Sequence, residues 1–465
     1  MDNINREHPE YVLKRAMWRK YRTLYSGGEH MREHAYEYLV RRNKEPNDVY
    51  QERLCRVFYE NYIGSIIDWY AATLLRREPT LTFQGTNEAG IQFYNEFAED
   101  CDLKGTTLAE FFRQQLVNTL VYGRTYIALD FPRFSQPATN RAEEDAAGMS
   151  RAFLVEYTPD EVINWSHDGD GNLAWIVMRT SCLRQDKVTD SSWKRETRWI
   201  HYDRETFRIY SRIEGGEAQG AIQLIDEGRH ALAGQNRVPV FEVKVTEGLW
   251  LMNKAALLQL EHFNKSNALS WALTMGLFAM PVVYSDREWN QIVGDSYYIQ
   301  LGPDDKFGWT EPAGHVFQIA ADNLERLKDE IYRVCYMMTQ ATGNQAAHVR
   351  QSGVSKQRDF AITQEVLRAY GDAVKETIKQ AMRAIESARQ DGLTIDVTGL
   401  DEFDIEDFGG ELDDAKKLLE LGIGSETLKK QLFKKLALKY FCDARQEIKT
   451  QIAAEIDSSF ERGTE

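Results

Sequence analysis

The stretch LWLMNKAALLQLEHFNKSNALSWALTMGLFAM, Leu249 to Met280, decides the architecture. It meets no proline before Pro281, so it can form one helix about 45 Å long at 1.5 Å rise per residue. Turn signals at Gly294, Gly302-Pro303, Pro312 and Gly314 then mark a compact insert. A second helix is expected with Asp322 or Asn323 as its cap. Its apolar residues Leu324, Leu327, Ile331, Val334 and Met338 recur at spacings of three and four, a narrow packing stripe. The next stretch, TGNQAAHVRQSGVSKQRDF (Thr342 to Phe360), is small and punctuated by glycine. It carries Arg350, Lys356 and Arg358 before its first acid, Asp359. A third long helix follows, with Phe360, Thr363, Leu367, Tyr370, Val374, Thr377, Ala381 and Ala388 close to one line. The order is long helix, compact insert, helix, polar link, long helix.

Upstream, from Arg151 to Val245, the period is two. FLVEYTPDEVINW, LAWIVMRTSC, ETRWIHYD, TFRIYSRI, AIQLIDEG and VPVFEVKV are separated by turn-rich stretches such as HDGDGN and EGGEAQG, and antiparallel hairpins are their simplest construction. Ser135 to Ser150 is small and polar and reads as a surface loop. Glu10 to Arg77 reads as helical. Its clearest part, ERLCRVFYENYIGSIIDWYAATLLRREP, keeps Leu54, Phe58, Ile63, Ile66 and Leu74 near one face until Pro79 stops it. LTFQG reads as a short strand. A helical block from Asn87 to Tyr122 leads into GRTYIALDFP, a strand ended by Pro132. The fold class is α+β.

Downstream, Asp391 to Asp414 holds ten acids and no base, the pattern of an acidic linker or solvated edge. Three helical pieces follow: LDDAKKLLELG, SETLKKQLFKKLALKY with Ser425 as cap, and DARQEIKTQIAAEI with Asp443 as cap.

With 465 residues, 43% hydrophobic and 28% charged, the chain reads as two or three globular units. A formal charge of -15 argues against a protein that coats itself in nucleic-acid phosphates. It suits a surface along which DNA slides. Cys55, Cys101, Cys182, Cys335 and Cys442 are scattered, odd in number and never in a CxxC pair, which fits a reducing compartment without disulfide framework or zinc cage. MDNINREHPEYVLKR has no apolar core and reads as no secretory signal. ALSWALTMGLFAMPVVY (Ala268 to Tyr284) falls short of a membrane span and includes Gly276 and Pro281, so it reads as buried protein.

Three short motifs invite chemistry. HMREH (His30 to His34) matches HxxEH, the inverted zinc-protease spacing, in which two histidines four apart bind metal and the glutamate polarises water. Its polar surroundings, GGEHMREHAYEY, fit a solvated helix at least as well, and no metal is assigned. DGDGN (Asp168 to Asn172) opens like a calcium loop, but the twelfth position is Arg179 instead of a bidentate glutamate, and the glycines suit a hairpin turn. DEFDIED (Asp401 to Asp407) has carboxylates that suit magnesium, without a basic cleft beside it. No Walker A, complete GxGxxG, GxSxG or kinase set is present. No catalytic residue and no cofactor are assigned.

Taken in order, several segments resemble the portal proteins of tailed bacteriophages, the head-tail connector family. They are VYGRTYIALDFP (Val121 to Pro132), NKSNALSWAL from Asn264, LGPDDKFGW with EPAGHVFQI, LERLKDEIYRVCYMMTQATGN, SGVSKQRDF, and the tail LGIGSETLKKQLFKKLALKYFCDARQEIKTQIAAE. The resemblance runs from about Arg53 to the C-terminus. One departure is Gly424-Ser425-Glu426, which lacks the arginine usual between serine and glutamate.

The resemblance implies a wing over 1–247, β-rich over 124–247, and stem helices over 248–280 and 322–340. A clip over 281–321, a tunnel loop over 341–355, a long helix over 356–390 and an acidic, helical crown over 391–465 complete the scheme. It further implies a dodecameric ring at the capsid vertex, assembled in the host cytoplasm, through which double-stranded DNA is packaged and ejected. The implied partners are the large terminase, a head-tail adaptor, the major capsid or scaffolding protein, and no membrane. The DNA-facing residues would be Asn344, Gln345, His348, Arg350, Gln351, Ser352 and Lys356. A loop touching a moving duplex suits small residues with a few phosphate-reaching donors and no base readout. Two alternatives stay open: a zinc-dependent hydrolase built on His30, Glu33 and His34, and a minor capsid or scaffolding protein of another type.

Overall fold

The computed structural model describes residues 2–132, 148, 150–185, 192–214, 220–276, 280–285, 304, 306–310, 314–337, 353–400, 408–421, 425–441 and 444–462. The chain divides into two compact units, one of residues 1–22, 65–253 and 360–465, the other of residues 23–64 and 254–359. Among the described residues the first unit combines helices with three antiparallel sheets and the second combines helices with one two-stranded antiparallel sheet, so the class is α+β.

In the first unit, β2 (Arg124–Asp130) lies between β3 (Phe153–Tyr157) and β9 (Val240–Lys244), antiparallel to both. As the central strand it buries Thr125 to Leu129, which is why TYIAL is a nearly unbroken apolar run. Helix α7 (Leu108–Tyr122) packs on β2 and β9. Thr107 caps it by accepting the Glu110 N–H at 3.2 Å, and Gly123 ends it at φ 86. A side chain at Gly123 would meet the Trp250 ring at 2.9 Å, so both the left-handed backbone and the close approach require glycine there. The expected period-two segments form a meander, β4 (Val162–His167), β5 (Leu173–Arg184), β6 (Lys194–Tyr202), β7 (Thr206–Glu214) and β8 (Gln223–Arg229), each pairing with the next. The N-terminal residues clip onto it: the Trp199 indole donates to Asn5 Oδ1 at 3.0 Å, and His8 stacks on Trp165 at 4.1 Å.

The acidic stretch after Asp391 is not only a solvated edge. Its residues Thr394–Thr398 form β12, paired from Thr80↔Thr398 to Gln84↔Thr394 with β1 (Thr80–Gln84). Ile395 and Val397 point into the core while Thr394 and Asp396 face out, so TIDVT is an alternating strand inside an acidic run. The helices α11 (Phe408–Glu420), α12 (Glu426–Tyr440) and α13 (Gln446–Arg462) match the expected tail pieces. Ser425 caps α12 by accepting the Leu428 N–H at 3.2 Å; Asp443 lies outside the described residues. Gln446 docks α13 on β1 as a strand would, its amide donating to the Leu81 carbonyl at 2.7 Å and accepting the Leu81 N–H at 3.2 Å.

Helix α10 (Gly353–Arg389) carries the expected stripe, with Thr363, Leu367, Tyr370, Val374, Thr377 and Ala381 all buried. Tyr370 meets Tyr70 edge-on at 5.6 Å and donates to the Leu249 carbonyl at 2.6 Å. Gly371 sits so close to Leu400 that a Cβ there would lie 2.1 Å from its carbonyl oxygen, which fixes glycine at that turn of the helix. Buried Arg389 ends the helix.

In the second unit, α2 (Gly28–Glu33), α3 (Ala35–Tyr38) and α4 (Asn47–Cys55) surround a cluster of Met31, Ala35, Leu39 and Phe263, with Tyr38, Tyr50, Leu54, Val57 and Tyr59 packed against it. The helix expected through ERLCRVFYENYIGSIIDWYAATLL breaks instead, into α4 and α5 (Tyr62–Leu74). Asn61 makes the break: its Oδ1 accepts the Gly64 N–H at 2.9 Å and its Nδ2 donates to the Tyr25 carbonyl at 2.7 Å. Phe58, expected on the buried stripe, is 38% exposed.

The long helix is α8 (Leu251–Gly276). It ends before Met280, which opens strand β10 (Met280–Tyr284) paired with β11 (Lys306–Thr310), Met280 opposite Thr310 and Tyr284 opposite Lys306. Helix α9 (Gly314–Val334) begins ahead of the expected caps. Asp322 and Asn323 lie inside it and do not cap it; Asp322 Oδ1 accepts from Gln318 one turn earlier at 2.8 Å and Asn323 Oδ1 from Lys265 at 2.9 Å. Lys254 on α8 meets Tyr336 just after α9, whereas Lys265 meets Asn323, so the two helices run antiparallel.

Candidate functional site

The candidate segment is the link between α9 and α10. Asn344, Gln345, His348, Arg350, Gln351 and Ser352 lie outside the described residues; Lys356 lies on α10, its side chain outside them. The point where the chain leaves α9 is described. Cys335, Tyr336 and Met337 donate their backbone N–H groups to Ile331, Arg333 and Tyr332, with Tyr336 at φ 62. Lys254 Nζ donates to the Tyr336 hydroxyl at 2.5 Å and lies 4.0 Å from the ring centroid. Cys335 and Met337 are buried on either side. Burial pushes the Cys335 thiol up to about 12 against the opposing pull of Lys254, so it stays protonated and unreactive. The chain is thus anchored at Met337, at the end of the helix pair opposite the β10-β11 hairpin.

Sequence reasoning missed what holds α8 in place. Three side-chain amides each grip another segment at two points. Gln259 donates to the Glu60 carbonyl at 2.7 Å and accepts the Ile63 N–H at 3.3 Å. Asn264 donates to the Tyr38 carbonyl at 3.1 Å and accepts the Val40 N–H at 2.8 Å. Asn267 donates to the Phe58 carbonyl at 2.9 Å and accepts the Phe58 N–H at 3.1 Å. Amides on a helix read as solvated in one dimension; here they satisfy backbone groups at the ends of α3 and α5 and in the segments between the short helices. Beside them, His262 meets Tyr62 edge-on at 5.0 Å, with Nε2 at 3.6 Å from the Glu60 carboxylate. Burial pushes the imidazole down, outweighing Glu60, and it is neutral at neutral pH.

The HxxEH residues do come together. His34 sits between α2 and α3 at φ -101 and ψ 6, outside both helices, yet one ligand atom each from His30, Glu33 and His34 lies within 4.8 Å of the others. The two rings are 4.6 Å apart. Among the described residues no further histidine, cysteine or carboxylate joins them, so the third downstream ligand of the inverted protease motif is not found.

The DGDGN segment is a turn. Asp168 Oδ1 accepts the N–H groups of Asp170 at 2.9 Å and Asn172 at 2.8 Å, and its other oxygen is paired with Arg204. Arg204 and these N–H bonds hold the carboxyl below the usual aspartate range. Asp401 to Asp407 lie outside the described residues. In the first unit a cavity of about 580 Å³ borders β1 and β12, with Lys375, Lys434 and Lys439 among its lining. Among the described residues, no helix is long and apolar enough to cross a membrane.

No protein-family model and no curated protein matches the chain. Among solved structures it is similar to a chain of the neck of the empty GTA particle computed with C6 symmetry, at 11% identity and a TM-score of 0.41, over 78% of this chain and 86% of that one. It is similar to a chain of the virion of the native gene transfer agent (GTA) particle at 12% identity and 0.40, over 84% and 93%. A chain of the neck of the native GTA particle computed with C12 symmetry gives 12% identity and 0.39, over 78% and 86%. Likeness this shallow assigns no residue and no partner to this chain.

Proposed function

We propose that the chain is the subunit of a tailed-phage portal, a dodecameric ring at the capsid vertex that conducts double-stranded DNA during packaging and ejection. The observation that carries the reading is the antiparallel pair α8 and α9, joined at one end through the β10-β11 hairpin and continued at the other into the link to the 37-residue α10. In this reading the pair is the stem, the hairpin-closed insert is the clip that docks the large terminase and later the head-tail adaptor, and residues 341–355 face the DNA. The outer parts of the subunit meet the major capsid or scaffolding protein. A ring repeats each weak cationic contact around the duplex, and the net charge of -15 keeps the rest of the channel from gripping. The subunit positions and conducts; hydrolysis of ATP belongs to the packaging partner.

Replacing Arg350 with Ala together with Lys356→Ala tests the assignment of the link. Rings are expected to assemble with unchanged copy number, while DNA packaged per particle falls several-fold in a reconstituted packaging assay. Unchanged packaging would remove the link from the DNA path.

A further inference from the structure

We propose that His30, Glu33 and His34 bind one divalent transition-metal ion of the zinc class, two imidazoles and a carboxylate holding it with the remaining positions open to water. This site is separate from DNA conduction. The spacing alone is a weak signal, but the geometry adds three observations to it.

First, the ligand atoms converge within 4.8 Å although a helix break falls between Glu33 and His34. A tetrahedral zinc site with bonds near 2.0–2.1 Å needs neighbouring ligand atoms about 3.4 Å apart. The ligands must draw in by up to about 1.4 Å, and Glu33, which is exposed, is the one free to turn toward the pair.

Second, a backbone contact orients the His34 ring and leaves its Nε2 as the nitrogen for an ion. His34 Nδ1 lies 2.9 Å from the His30 carbonyl oxygen, which can only accept, so Nδ1 carries the proton and Nε2 carries the lone pair. A backbone carbonyl on the second ring nitrogen is the usual orienting contact of a metal-bound histidine.

Third, the platform is rigid, with Glu33 exposed and the two histidines half-buried; His30 Nε2 lies 3.4 Å from the Thr23 hydroxyl, a contact the ion replaces. Met31 and Ala35, each 1% exposed, root both short helices in the Phe263 cluster. Arg32 points its charge away, to Glu29 and the Cys55 carbonyl, both at 3.4 Å. Imidazole with carboxylate is a borderline donor set that suits zinc over magnesium or calcium. An ion here ties α2 to α3 across the break, and because it binds only the folded arrangement it raises stability.

The test is equilibrium dialysis of the chelator-stripped full chain against Zn²⁺, with elemental analysis, and titration with Co²⁺ as an optical probe. The expected result is one Zn²⁺ per chain and cobalt ligand-field bands of a protein-bound, imidazole-ligated ion. His30→Ala and His34→Ala should each weaken binding by at least about tenfold. Glu33→Gln, at an exposed position, should weaken it too while leaving the circular dichroism of the chain unchanged, which keeps the test valid if a histidine variant misfolds. No stoichiometric Zn²⁺ in the wild-type chain, a cobalt spectrum no different from the aquo ion, or full binding in the His30→Ala/His34→Ala double variant would overturn the proposal.

Discussion

Arg389→Met is expected to destabilise the unit of residues 1–22, 65–253 and 360–465 by about 3–5 kcal/mol. The guanidinium ends α10 in a buried site, where Nε donates to Asp391 Oδ2 at 2.7 Å and Nη1 to the Ser150 carbonyl at 2.6 Å. It also lies 3.7 Å from the Phe93 ring centroid. Both partners are nearly sealed, with side chains 4% and 2% exposed. Removing the cation leaves a carboxylate and a carbonyl in the interior without their donor, and that penalty exceeds the Coulombic gain of the intact pair. The contact joins three stretches far apart in sequence, so their loosening should be shared. Hydrogen exchange should accelerate in β12 and in α6 (Glu88–Glu99), whose cap Asn87 donates to the Asp391 carbonyl at 2.9 Å. A loss under about 1 kcal/mol in denaturant titration would show that this ion pair does not hold the unit together. Arg389→Met with Asp391→Leu should recover much of the loss, since an apolar pair avoids the desolvation cost.

Glu45→Gln should cost the second unit about 3–5 kcal/mol for the same reason, and in a pH-dependent way. Arg53 Nη1 reaches both Glu45 oxygens, at 2.9 and 2.8 Å, with side-chain exposures of 5% and 2%. The Arg42 N–H adds a bond to Oε2 at 3.1 Å. Burial pushes the Glu45 carboxyl up, but the Arg53 and Arg42 hydrogen bonds outweigh it and hold it below its ordinary 4.5. The sign follows: below pH 4.5 the unfolded chain takes up the proton first, so the contribution is complete above 4.5 and is lost as pH falls through the lower folded value. Unfolding curves from pH 7 to 3 should show wild-type stability falling more steeply than that of Glu45→Gln in the acid window. Parallel curves would contradict the assignment.

The parts of this fold legible in the sequence are those decided by local period. The Leu367-Tyr370-Val374 stripe of α10 and the turn-bounded β-branched and aromatic runs of β5 to β7 need only their own residues to announce them, although β5 buries Ile176, Val177 and Met178 in succession where a period of two was expected. What was hidden depends on distant partners. Strand β12 looks acidic because half of its side chains face outward, and only β1, more than three hundred positions earlier, makes it a strand. The early start of α9 is masked by Asp322 and Asn323, good caps by type whose side chains are taken by Gln318 and Lys265. The break before α5 rests on the Asn61 contact with Tyr25, invisible to periodicity. For the candidate sites the balance is similar. The HxxEH spacing could be read directly, while its convergence across a helix break could not. The buried amides of α8 left no signal that distinguishes them from solvated ones.

The central claim is that copies of this chain close into a ring around a channel. The measurement that tests it most directly is the mass of the purified particle by light scattering, taken with electron micrographs of the same sample, alone and co-expressed with the capsid protein that the proposed function calls for. The account predicts closed rings with an axial hole and a mass of about twelve times 53.7 kDa. Monomers and dimers only, at every concentration and with the capsid protein present, would contradict it.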